Sequence, residues 1–297
     1  MNTFLKISWL FSLLIALGCL PAHAAKPQVI ATISIIGDVV KNVAGDKVNL
    51  VTLVGPDGDA HEYEPVPQDS VNLSKADLIF ENGLHLEHWL DKLYEASGSK
   101  AARIVVSEGV IPRVFENNSQ ETDPHAWQDV NSVILYTQNI TKALDAFDPA
   151  NKAIYDQNAA NYIKQLQDLN QWVKKQVATI PQEDRKLVTN HDALGYFARG
   201  YGFQIIGAVI PSATTEAADP SAKQTVELIN IIEANHVHAV FSENITSPKL
   251  AQMLSQEAGV KVAPDLYTDA LGAPGTDGDT YIKMIHYNVG VFEKYLK

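Results

Sequence analysis

Three histidines and one aspartate, widely separated along the chain, are the residues with the most definite chemistry. They are His61, His125, His191 and Asp269, and successive members lie 64, 66 and 78 residues apart. Imidazole nitrogens with one carboxylate oxygen suit zinc well and manganese or ferrous iron acceptably, whereas calcium and magnesium prefer oxygen donors alone. Because such distant residues meet only on a large folded scaffold, we expect the metal to be cargo or cofactor rather than a nucleus for folding.

The completeness of this donor set indicates carriage rather than catalysis. Four protein ligands leave little room for the exchangeable water that a hydrolytic metal site keeps. A bidentate Asp269 would give five-coordination, which several divalent ions tolerate. The chain also has no His-Glu-x-x-His run, no nucleophile elbow and no phosphate-binding loop. We therefore predict a metal-binding protein that is not an enzyme.

Residues 1–24 are typical of an export signal. Lys6 supplies the positive charge, residues 9–17 form the apolar stretch, and a small-x-small cleavage site ends at Ala24, so we expect the mature chain to begin at Ala25 in the periplasm. The apolar stretch is too short to span a bilayer. A lipid anchor at Cys19 is the alternative, but Ala16 stands where such signals normally have a larger residue.

The composition of the remaining 273 residues excludes several kinds of chemistry. Cys19 is the one cysteine of the sequence, so cleavage after Ala24 leaves neither disulfides nor thiolate ligands. Loss of Lys6 leaves 22 basic against 35 acidic side chains, a net charge of −13. Nucleic-acid binding is not expected, since phosphate recognition requires a basic face.

Strands that alternate with helices occur twice along the chain. This pattern predicts an α/β fold of two doubly wound lobes with mainly parallel sheets, joined by one long rigid helix, with the metal in the cleft between the lobes. The predicted strands are 29–32, 50–54, 78–80 and 103–106, then 187–189, 204–207, 239–241 and 261–263. The predicted helices between them include 35–43, 84–96, 221–234 and 247–258.

A single long helix separates the two series. Apolar residues at steps of mostly three and four predict it over roughly residues 149–177, and Pro181 ends it. At 1.5 Å per residue it is on the order of 40 Å long, enough to run along both lobes. We therefore predict an N-terminal lobe over 25–148, a linking helix over 149–180 and a C-terminal lobe over 181–297. A rigid link favours small lobe or loop movements over wide hinge opening when the metal is released.

All four candidate ligands follow predicted strands, two in each lobe. In open α/β sheets, ligands bind in the crevice outside the carboxyl ends of the strands. Several neighbours have secondary roles in this prediction. Glu243 ends a strand near the cleft and is a candidate to orient a ligand, Trp127 would shield the site from water, and Glu62 is expected to be a solvated loop charge.

The other histidines are predicted to be structural or exposed. His85 and His88 lie at i, i+3 in the predicted helix 84–96, a spacing that can chelate, but an exposed helix face is the favoured interpretation. His236 and His238 flank a strand start, and His286 is placed on the last helix. The aromatic residues that follow His191 are expected to pack in the core: Tyr196, Phe197, Tyr201 and Phe203.

At these residues the chain resembles the zinc/manganese/iron group of periplasmic solute-binding proteins of bacterial ABC transporters. The resemblance covers essentially the whole mature chain and four segments carry it. Residues 59–65 resemble the first-ligand motif, with Ala60 where proline is common, and 123–127 resemble the second very closely. His191-Asp192-Ala193 with Gly195-Tyr196-Phe197, and Thr268-Asp269 with Leu271-Gly272, resemble the third and fourth. Residues 81–90 resemble the family's Asn-Gly-Leu helix.

This resemblance implies a monomeric receptor that delivers its ion to a membrane permease driven by a cytoplasmic ATPase. The resemblance gives mixed indications of which metal is bound. Manganese-dedicated members often have glutamate at the third ligand, so His191 favours zinc. Many zinc-specific members have a long histidine-rich loop before the second ligand, whereas residues 116–122 form a short polar loop without histidine. We therefore predict that the bound metal is Zn²⁺, with Mn²⁺ or Fe²⁺ as alternatives.

Two other functions compete with metal delivery. A surface adhesin in which the metal only stiffens the fold would be supported by anchoring through Cys19. A metallohydrolase would need an exchangeable water on the ion.

Overall fold

A computed structural model of the chain describes residues 25–115, 118–210 and 221–297. The predicted export signal, including Cys19 and His23, lies outside the described residues. So do residues 116 and 117 of the predicted polar loop.

The first sheet has four parallel strands in the order β2-β1-β3-β4. Their bounds are Gln28–Ile33 for β1, Asn49–Val54 for β2, Leu78–Glu81 for β3 and Ala102–Val105 for β4. Residues 29–33 and the whole of β3 are buried, as expected for central strands of a parallel sheet covered on both faces. The four predicted strands of this lobe are confirmed to within one residue at each end.

A short antiparallel hairpin follows the first sheet and corrects the prediction of a polar loop. Its strands are β5 (Arg113–Phe115) and β6 (Asn118–Asp123), and Arg113 lies opposite Asp123. Residues 118–122 therefore belong to a strand rather than a loop. Their polar side chains lack the apolar alternation from which sequence analysis recognises a strand.

The second sheet also has four parallel strands, in the order β10-β9-β7-β8. They are β7 (Lys186–His191), β8 (Gln204–Ile210), β9 (Ala239–Glu243) and β10 (Lys261–Leu266). Each predicted strand is present, but β7 continues to His191 rather than ending at Thr189. Together the two sheets confirm the predicted α/β class with two parallel sheets.

Helices cover the sheets and the space between them. In the first half of the chain they are α1 (Ser34–Ala44), α2 (Pro67–Ser74), α3 (Leu90–Ser97) and α4 (Val130–Phe147). In the second half they are α5 (Lys152–Val177), α6 (Gly195–Tyr201), α7 (Ala222–Ala234), α8 (Lys249–Ala258) and α9 (Tyr281–Tyr295). Three-residue 3-10 helices occupy Ala126–Gln128, Pro149–Asn151 and Gln182–Asp184.

The predicted helix over 84–96 is wrong in its first half. Leu84 and His85 have positive φ angles of 54° and 67°, which a right-handed helix excludes. The buried carboxylate of Glu87 holds this turn, because it accepts hydrogen bonds from the backbone N–H of Asn82 at 2.7 Å and of Gly83 at 3.1 Å. The helix α3 begins at Leu90, and His85 and His88 lie in the exposed turns before it.

The predicted long helix is present as α5, which separates the strands of the first sheet from those of the second along the chain and follows one 3-10 turn at Pro149–Asn151. The predicted apolar stripe is buried, with Ile163 half-buried. The Asn158 side chain donates to Val43 O of α1 at 3.0 Å, and Trp172 packs on His286 of α9 at 4.1 Å between ring centroids. The helix thus contacts both halves of the chain, whereas the exact boundaries at 148 and 180 stay a prediction.

One hydrophobic core crosses from the first half of the chain to the second. It joins the inner faces of α1, α4 and α5 to α9 and to the second sheet. Tyr281, the first residue of α9, donates its hydroxyl to Trp127 O at 2.7 Å and its backbone N–H to Asp38 at 3.1 Å. The apolar contacts of this core therefore connect the two halves, while part of the second sheet packs with α7 and α8 in a separate apolar cluster. No helix among the described residues is long and apolar enough to cross a membrane.

The buried face of α5 can be tested by truncation. Leu166 is fully buried, so Leu166→Ala should lower the free energy of unfolding by about 2–5 kcal/mol, through lost burial and a residual cavity. Gln167→Ala, one residue along on the exposed face, should change it by less than about 0.5 kcal/mol. Urea unfolding followed by circular dichroism measures both, and equal effects would contradict this orientation of α5.

Candidate metal centre

The four predicted ligands meet at one point between the two sheets. The Nε2 atom of His125 lies 3.2 Å from Nε2 of His61 and 3.2 Å from Nε2 of His191. Asp269 Oδ2 lies 3.1 Å from Nε2 of His61 and 3.0 Å from Nε2 of His191. The potential ligand atoms all lie within 4.8 Å of one another, so a single ion could contact all four.

Each side chain reaches this point from the end of a strand. His61 follows β2 through a loop in which Asp59 Oδ1 accepts from its backbone N–H at 2.8 Å. His191 is the last residue of β7, and Asp269 lies three residues beyond β10. His125 follows β6, so the hairpin outside the main sheets presents it. The crevice at the carboxyl ends of the strands is therefore used as predicted, with one ligand on an added hairpin.

Burial and an unpartnered oxygen indicate that this centre is built for a cation. His125 and His191 are fully buried, and His61 and Asp269 are at most 2% exposed. Among the described residues, Asp269 Oδ1 is buried without a hydrogen-bond partner. An unpaired carboxylate oxygen surrounded by imidazole nitrogens is costly unless a proton or a metal ion shares the space. The donor set therefore fits a divalent transition metal.

The separations between donor atoms agree with coordination of one ion. With metal–nitrogen bonds of about 2.0–2.1 Å, neighbouring ligands of a tetrahedral site lie about 3.3 Å apart. Four donor pairs are 3.0–3.2 Å apart, and Nε2 of His125 lies 3.5 Å from Asp269 Oδ1, so these five separations are within a few tenths of an ångström of that value. Neighbouring positions of an octahedron have similar separations, so the geometry favours one ion without selecting its identity.

Two carboxylates outside the ligand set hold two of the imidazole rings. Asp123 Oδ1 lies 2.8 Å from Nδ1 of His125, and Glu243 Oε2 lies 2.6 Å from Nδ1 of His191, a close contact off the hydrogen-bonding direction. A carboxylate at Nδ1 keeps the proton there and leaves the Nε2 lone pair for a metal. The tautomers are inferred from these neighbours.

Glu243 also connects two ligand segments, in agreement with its predicted orienting role. Its Oε1 accepts from the backbone N–H of His191 at 2.9 Å, and its Oε2 accepts from the hydroxyl of Thr268 at 2.9 Å. Thr268 precedes Asp269, and its carbonyl accepts from Trp127 Nε1 and Gln128 Nε2, both at 2.7 Å. Since Trp127 also packs against His125 with ring centroids 5.3 Å apart, it closes the site as expected.

Charge around the centre shifts the protonation of its members. Burial lowers the pKa of His125, but the carboxylates of Asp269 and Asp123 outweigh burial and raise that pKa to about 9. Burial likewise lowers the pKa of His191, and Glu243 and Asp269 outweigh it, so the pKa lies well above its ordinary value. Burial raises the pKa of Asp269, yet attraction by His191 and His125 holds it well below the usual range. Without a metal, the centre thus binds protons at neutral pH.

The remaining predicted residues lie apart from this centre. His85 and His88 are exposed in turns, and His236 and His238 are exposed beside β9, where His238 lies 3.3 Å from Asp184. His286 lies on α9 as predicted. Glu62 is exposed, as expected for a loop charge. The aromatic residues after His191 are buried, and Phe197 packs against Tyr201 and Phe203.

Sequence reasoning missed three residues that hold the second candidate ligand. Asp123 contacts His125, Arg113 forms an ion pair of 2.7 Å with Asp123, and Tyr196 donates its hydroxyl to the carbonyl of Asp123 at 3.0 Å. Asp123 lies in the segment 123–127 that resembles the second-ligand motif. Its position two residues before His125 could have identified it as a partner of that imidazole. Arg113 lies 10 residues before Asp123 without a motif that marks it, and Tyr196 belongs to the third-ligand motif but was expected only to pack in the core.

A cavity of about 770 Å³ lies elsewhere, between β8, α6 and α7. None of the four candidate ligands lines it. The candidate centre is instead closed around a space suited to a single ion. Its shape is therefore that of an ion site rather than a pocket for an organic ligand.

Two parallel-sheet lobes with a buried imidazole–carboxylate cluster between them define the class of metal-binding solute receptors. The chain matches the family described as "Zinc-uptake complex component A periplasmic" over residues 29–295. It belongs to this family of substrate-binding proteins of metal ABC transporters.

Relatives and solved structures name different metals. The chain is 35% identical over 265 residues to a manganese-binding lipoprotein, MntA, of Halalkalibacterium halodurans, covering 89% of this chain and 87% of that protein. It is 36% identical over 276 residues to the manganese ABC transporter substrate-binding lipoprotein ScaA of Streptococcus gordonii, covering 90% and 88%. The periplasmic zinc-binding protein TroA of Treponema pallidum superposes with a TM-score of 0.85 at 32% identity, covering 92% and 99%. The manganese-bound periplasmic metal-binding protein of Candidatus Liberibacter asiaticus gives 0.83 at 29% identity, covering 92% and 100%.

Metal affinity should fall as the pH falls. A metal must displace protons that His125 and His191 hold because their pKa values are raised, to about 9 for His125, so affinity should rise with pH through the neutral range. Each proton released per ion changes the affinity about tenfold per pH unit. Chelator competition at about pH 6 and pH 8 measures this dependence, and calorimetry in buffers of different ionisation enthalpy counts the protons.

His125→Gln supplies the matched control for this prediction. The variant lacks the imidazole with the raised pKa, so it should release about one proton fewer per ion. Equal affinity at both pH values, with no proton release by the unaltered protein, would contradict the assignment.

Proposed function

We propose that this protein captures one divalent transition metal with His61, His125, His191 and Asp269 and delivers it to an ABC permease for import. The observation that supports this most directly is the convergence of three Nε2 atoms and one carboxylate in a buried cluster. The family assignment supports the same function independently. The permease, with its cytoplasmic ATPase, is the expected partner, and the receptor is expected to act as a monomer.

Zinc is the cargo that the donor set favours. Three imidazoles and one carboxylate are typical zinc ligands, and separations of 3.0–3.2 Å suit a four-coordinate ion. TroA, which is named as a zinc-binding protein, has the same fold at a TM-score of 0.85. The absence of a histidine-rich segment in the sequence before His125 is the feature that does not fit a dedicated zinc receptor.

Manganese is the second candidate, because relatives that cover most of the chain are named for it. An imidazole–carboxylate site also accepts manganese, and it accepts ferrous iron for the same reason. Zinc binds more tightly than manganese to almost any site of nitrogen and oxygen donors. Cargo in the cell would then depend on metal availability and on the permease as well as on this centre.

The competing functions have less support. Relatives from Streptococcus gordonii and Streptococcus pneumoniae are named as manganese ABC transporter substrate-binding lipoproteins, which favours delivery over a metal-stabilised adhesin. Four convergent protein donors leave little space for a reactive water, which disfavours a metallohydrolase. The continuous core and the contacts of α5 with both halves favour release through small lobe or loop movements.

Removal of one ligand tests the assignment of the site. His125→Ala should lower zinc affinity by more than about a hundredfold. A loss of about a hundredfold is the upper end of what is expected when only a residue that hydrogen-bonds to a ligand is removed, and this variant removes a ligand itself. His88→Ala, which removes an exposed imidazole away from the centre, is the control and should bind as the unaltered protein does. Metal-stripped proteins titrated with Zn²⁺ and Mn²⁺ against chelators of known affinity provide the measurement.

The outcome of that titration also selects the cargo. Zinc binding with negligible manganese binding would support a zinc receptor, and tight binding of both would support selection by availability and by the permease. Unchanged affinity in His125→Ala would reject the proposed site. No binding of either metal by the unaltered protein would reject the proposed function.

The proposed location is the periplasm, after cleavage before Ala25. The named relatives are lipoproteins, so anchoring through Cys19 is the competing arrangement. Intact-mass spectrometry of the protein from its native cells should give a soluble chain that starts at Ala25. A chain that starts at a lipid-modified Cys19 and stays in the membrane fraction would reject the soluble form.

A further inference from the structure

Arg113 connects the hairpin that presents His125 to the helix that follows His191. It lies on β5 of the hairpin, and its side chain is 16% exposed. Its Nη1 atom forms an ion pair of 2.7 Å with Asp123 Oδ2 and lies 3.8 Å from Asp192 Oδ1. Asp123 belongs to the same hairpin, whereas Asp192 directly follows His191. One guanidinium therefore lies between segments that carry ligands from the two halves of the chain.

The two oxygens of the Asp123 carboxylate contact different partners, one Arg113 and the other His125. Its Oδ2 receives the guanidinium, and its Oδ1 accepts from the backbone N–H of His125 at 3.0 Å and lies 2.8 Å from Nδ1 of the ring. These three contacts restrict the rotation of the fully buried carboxylate. Since the carboxylate in turn fixes the imidazole ring, Arg113 acts on the orientation of Nε2 through one intermediate group.

Gly195, the first residue of α6, makes room for this guanidinium. A Cβ atom at position 195 would lie 2.2 Å from both Cζ and Nη1 of Arg113, so a side chain at this position would force the guanidinium to move from its place beside Asp123. The φ angle of Gly195 is outside the left-handed region, so alanine would suit the backbone and would favour a helix more than glycine does. The guanidinium is thus the feature of the structure that explains glycine at this position.

Tyr196 holds the backbone of the same hairpin against α6. Its hydroxyl accepts from the backbone N–H of Arg113 at 3.0 Å and donates to the carbonyl of Asp123 at 3.0 Å. These two residues lie opposite each other in the hairpin, so one hydroxyl joins both strands. The backbone is positioned by Tyr196, and the side-chain carboxylate is positioned by Arg113.

We propose that Arg113 is a positioning residue for metal binding. Its guanidinium pairs with Asp123 and packs against Gly195, and it thereby holds the His125 ring in position relative to His191. This inference rests on the proposed function. Loss of the guanidinium would let the Asp123 carboxylate turn away from His125. The ring would then gain rotational freedom, and the centre would bind its ion more weakly and with altered geometry.

A double-mutant cycle separates this role from general stabilisation. Arg113→Ala and Gly195→Ala should each reduce zinc affinity by roughly tenfold, the lower end of losses seen when an outer partner of a ligand is removed. Arg113→Ala/Gly195→Ala should be no weaker than Arg113→Ala alone, because the added methyl then occupies the space of the missing guanidinium. Zinc affinity is measured by chelator competition, and each variant is first checked for native circular dichroism.

The absorption spectrum of bound Co²⁺ gives a readout that stability alone would not change. Its visible bands depend on the ligands and their geometry, so both single variants should alter them if His125 reorients. Arg103→Ala is the matched control, because Arg103 pairs with Glu81 at 2.6 Å and with Asp91 at 2.7 Å rather than with a partner of the candidate ligands. It should lower thermal stability while zinc affinity and the Co²⁺ spectrum stay unchanged.

The outcomes distinguish this inference from the proposed function. Unaltered zinc affinity and an unaltered Co²⁺ spectrum in Arg113→Ala would overturn the role of Arg113, while metal binding by the unaltered protein would still support the function. Additive losses in the double variant would overturn the link between Arg113 and Gly195. If Arg113→Ala does not fold, Gly195→Ala is used by itself. Unchanged zinc affinity and an unchanged Co²⁺ spectrum in Gly195→Ala would also overturn the proposal.

Discussion

The rest of the structure depends on one constraint, which is that nitrogen lone pairs and carboxylates that repel one another are held together in a space closed to water. Three imidazole Nε2 atoms face a carboxylate, and two further buried carboxylates, Asp123 and Glu243, stand behind two of the rings. Arg113 places a permanent positive charge against Asp123. Buried negative charge in such excess is costly unless protons or a divalent ion supply positive charge. The surrounding protein therefore preserves an arrangement that is favourable chiefly when a cation is bound.

Both halves of the chain contribute to this arrangement, and several bonds fix their relative position. Trp127 and Gln128 donate to Thr268 beside Asp269, and Tyr281 donates to the carbonyl of Trp127. On the other side of the centre, the backbone N–H of Asp57 donates to Leu271 O at 2.8 Å, which joins the loop of His61 to that of Asp269. These contacts hold the segments that carry the four donor atoms close together, and segments that are held in place cost less ordering when an ion binds.

The sequence revealed those features that depend on local pattern or on a motif. Buried parallel strands are nearly continuous apolar runs, and α5 has an apolar stripe, so both were predictable. The turn at Leu84 was not, because Glu87 is held by the hydroxyl of Thr32, 55 residues earlier, and its carboxylate accepts hydrogen bonds from the backbone N–H groups of Asn82 and Gly83 in place of a helical turn. The four candidate ligands were predicted from their residue types, their positions after strands and their motifs, whereas no pattern marks the pairing of Arg113 with Asp123, and Tyr196 contacts Asp123 from 73 residues away. Metal identity could not be deduced, since zinc, manganese and iron accept the same donors.

The position of α9 has a consequence for how the chain folds. Tyr281 bonds to Asp38, 243 residues earlier, and α9 packs against the same core as α1 and α5. The first helix of the fold therefore keeps part of its apolar face uncovered until residues 281–295 are in place. Contacts of such long sequence separation form slowly because a large loop must close first. A chain assembled in this order therefore stays incompletely packed until its last helix has been made and has docked on the core.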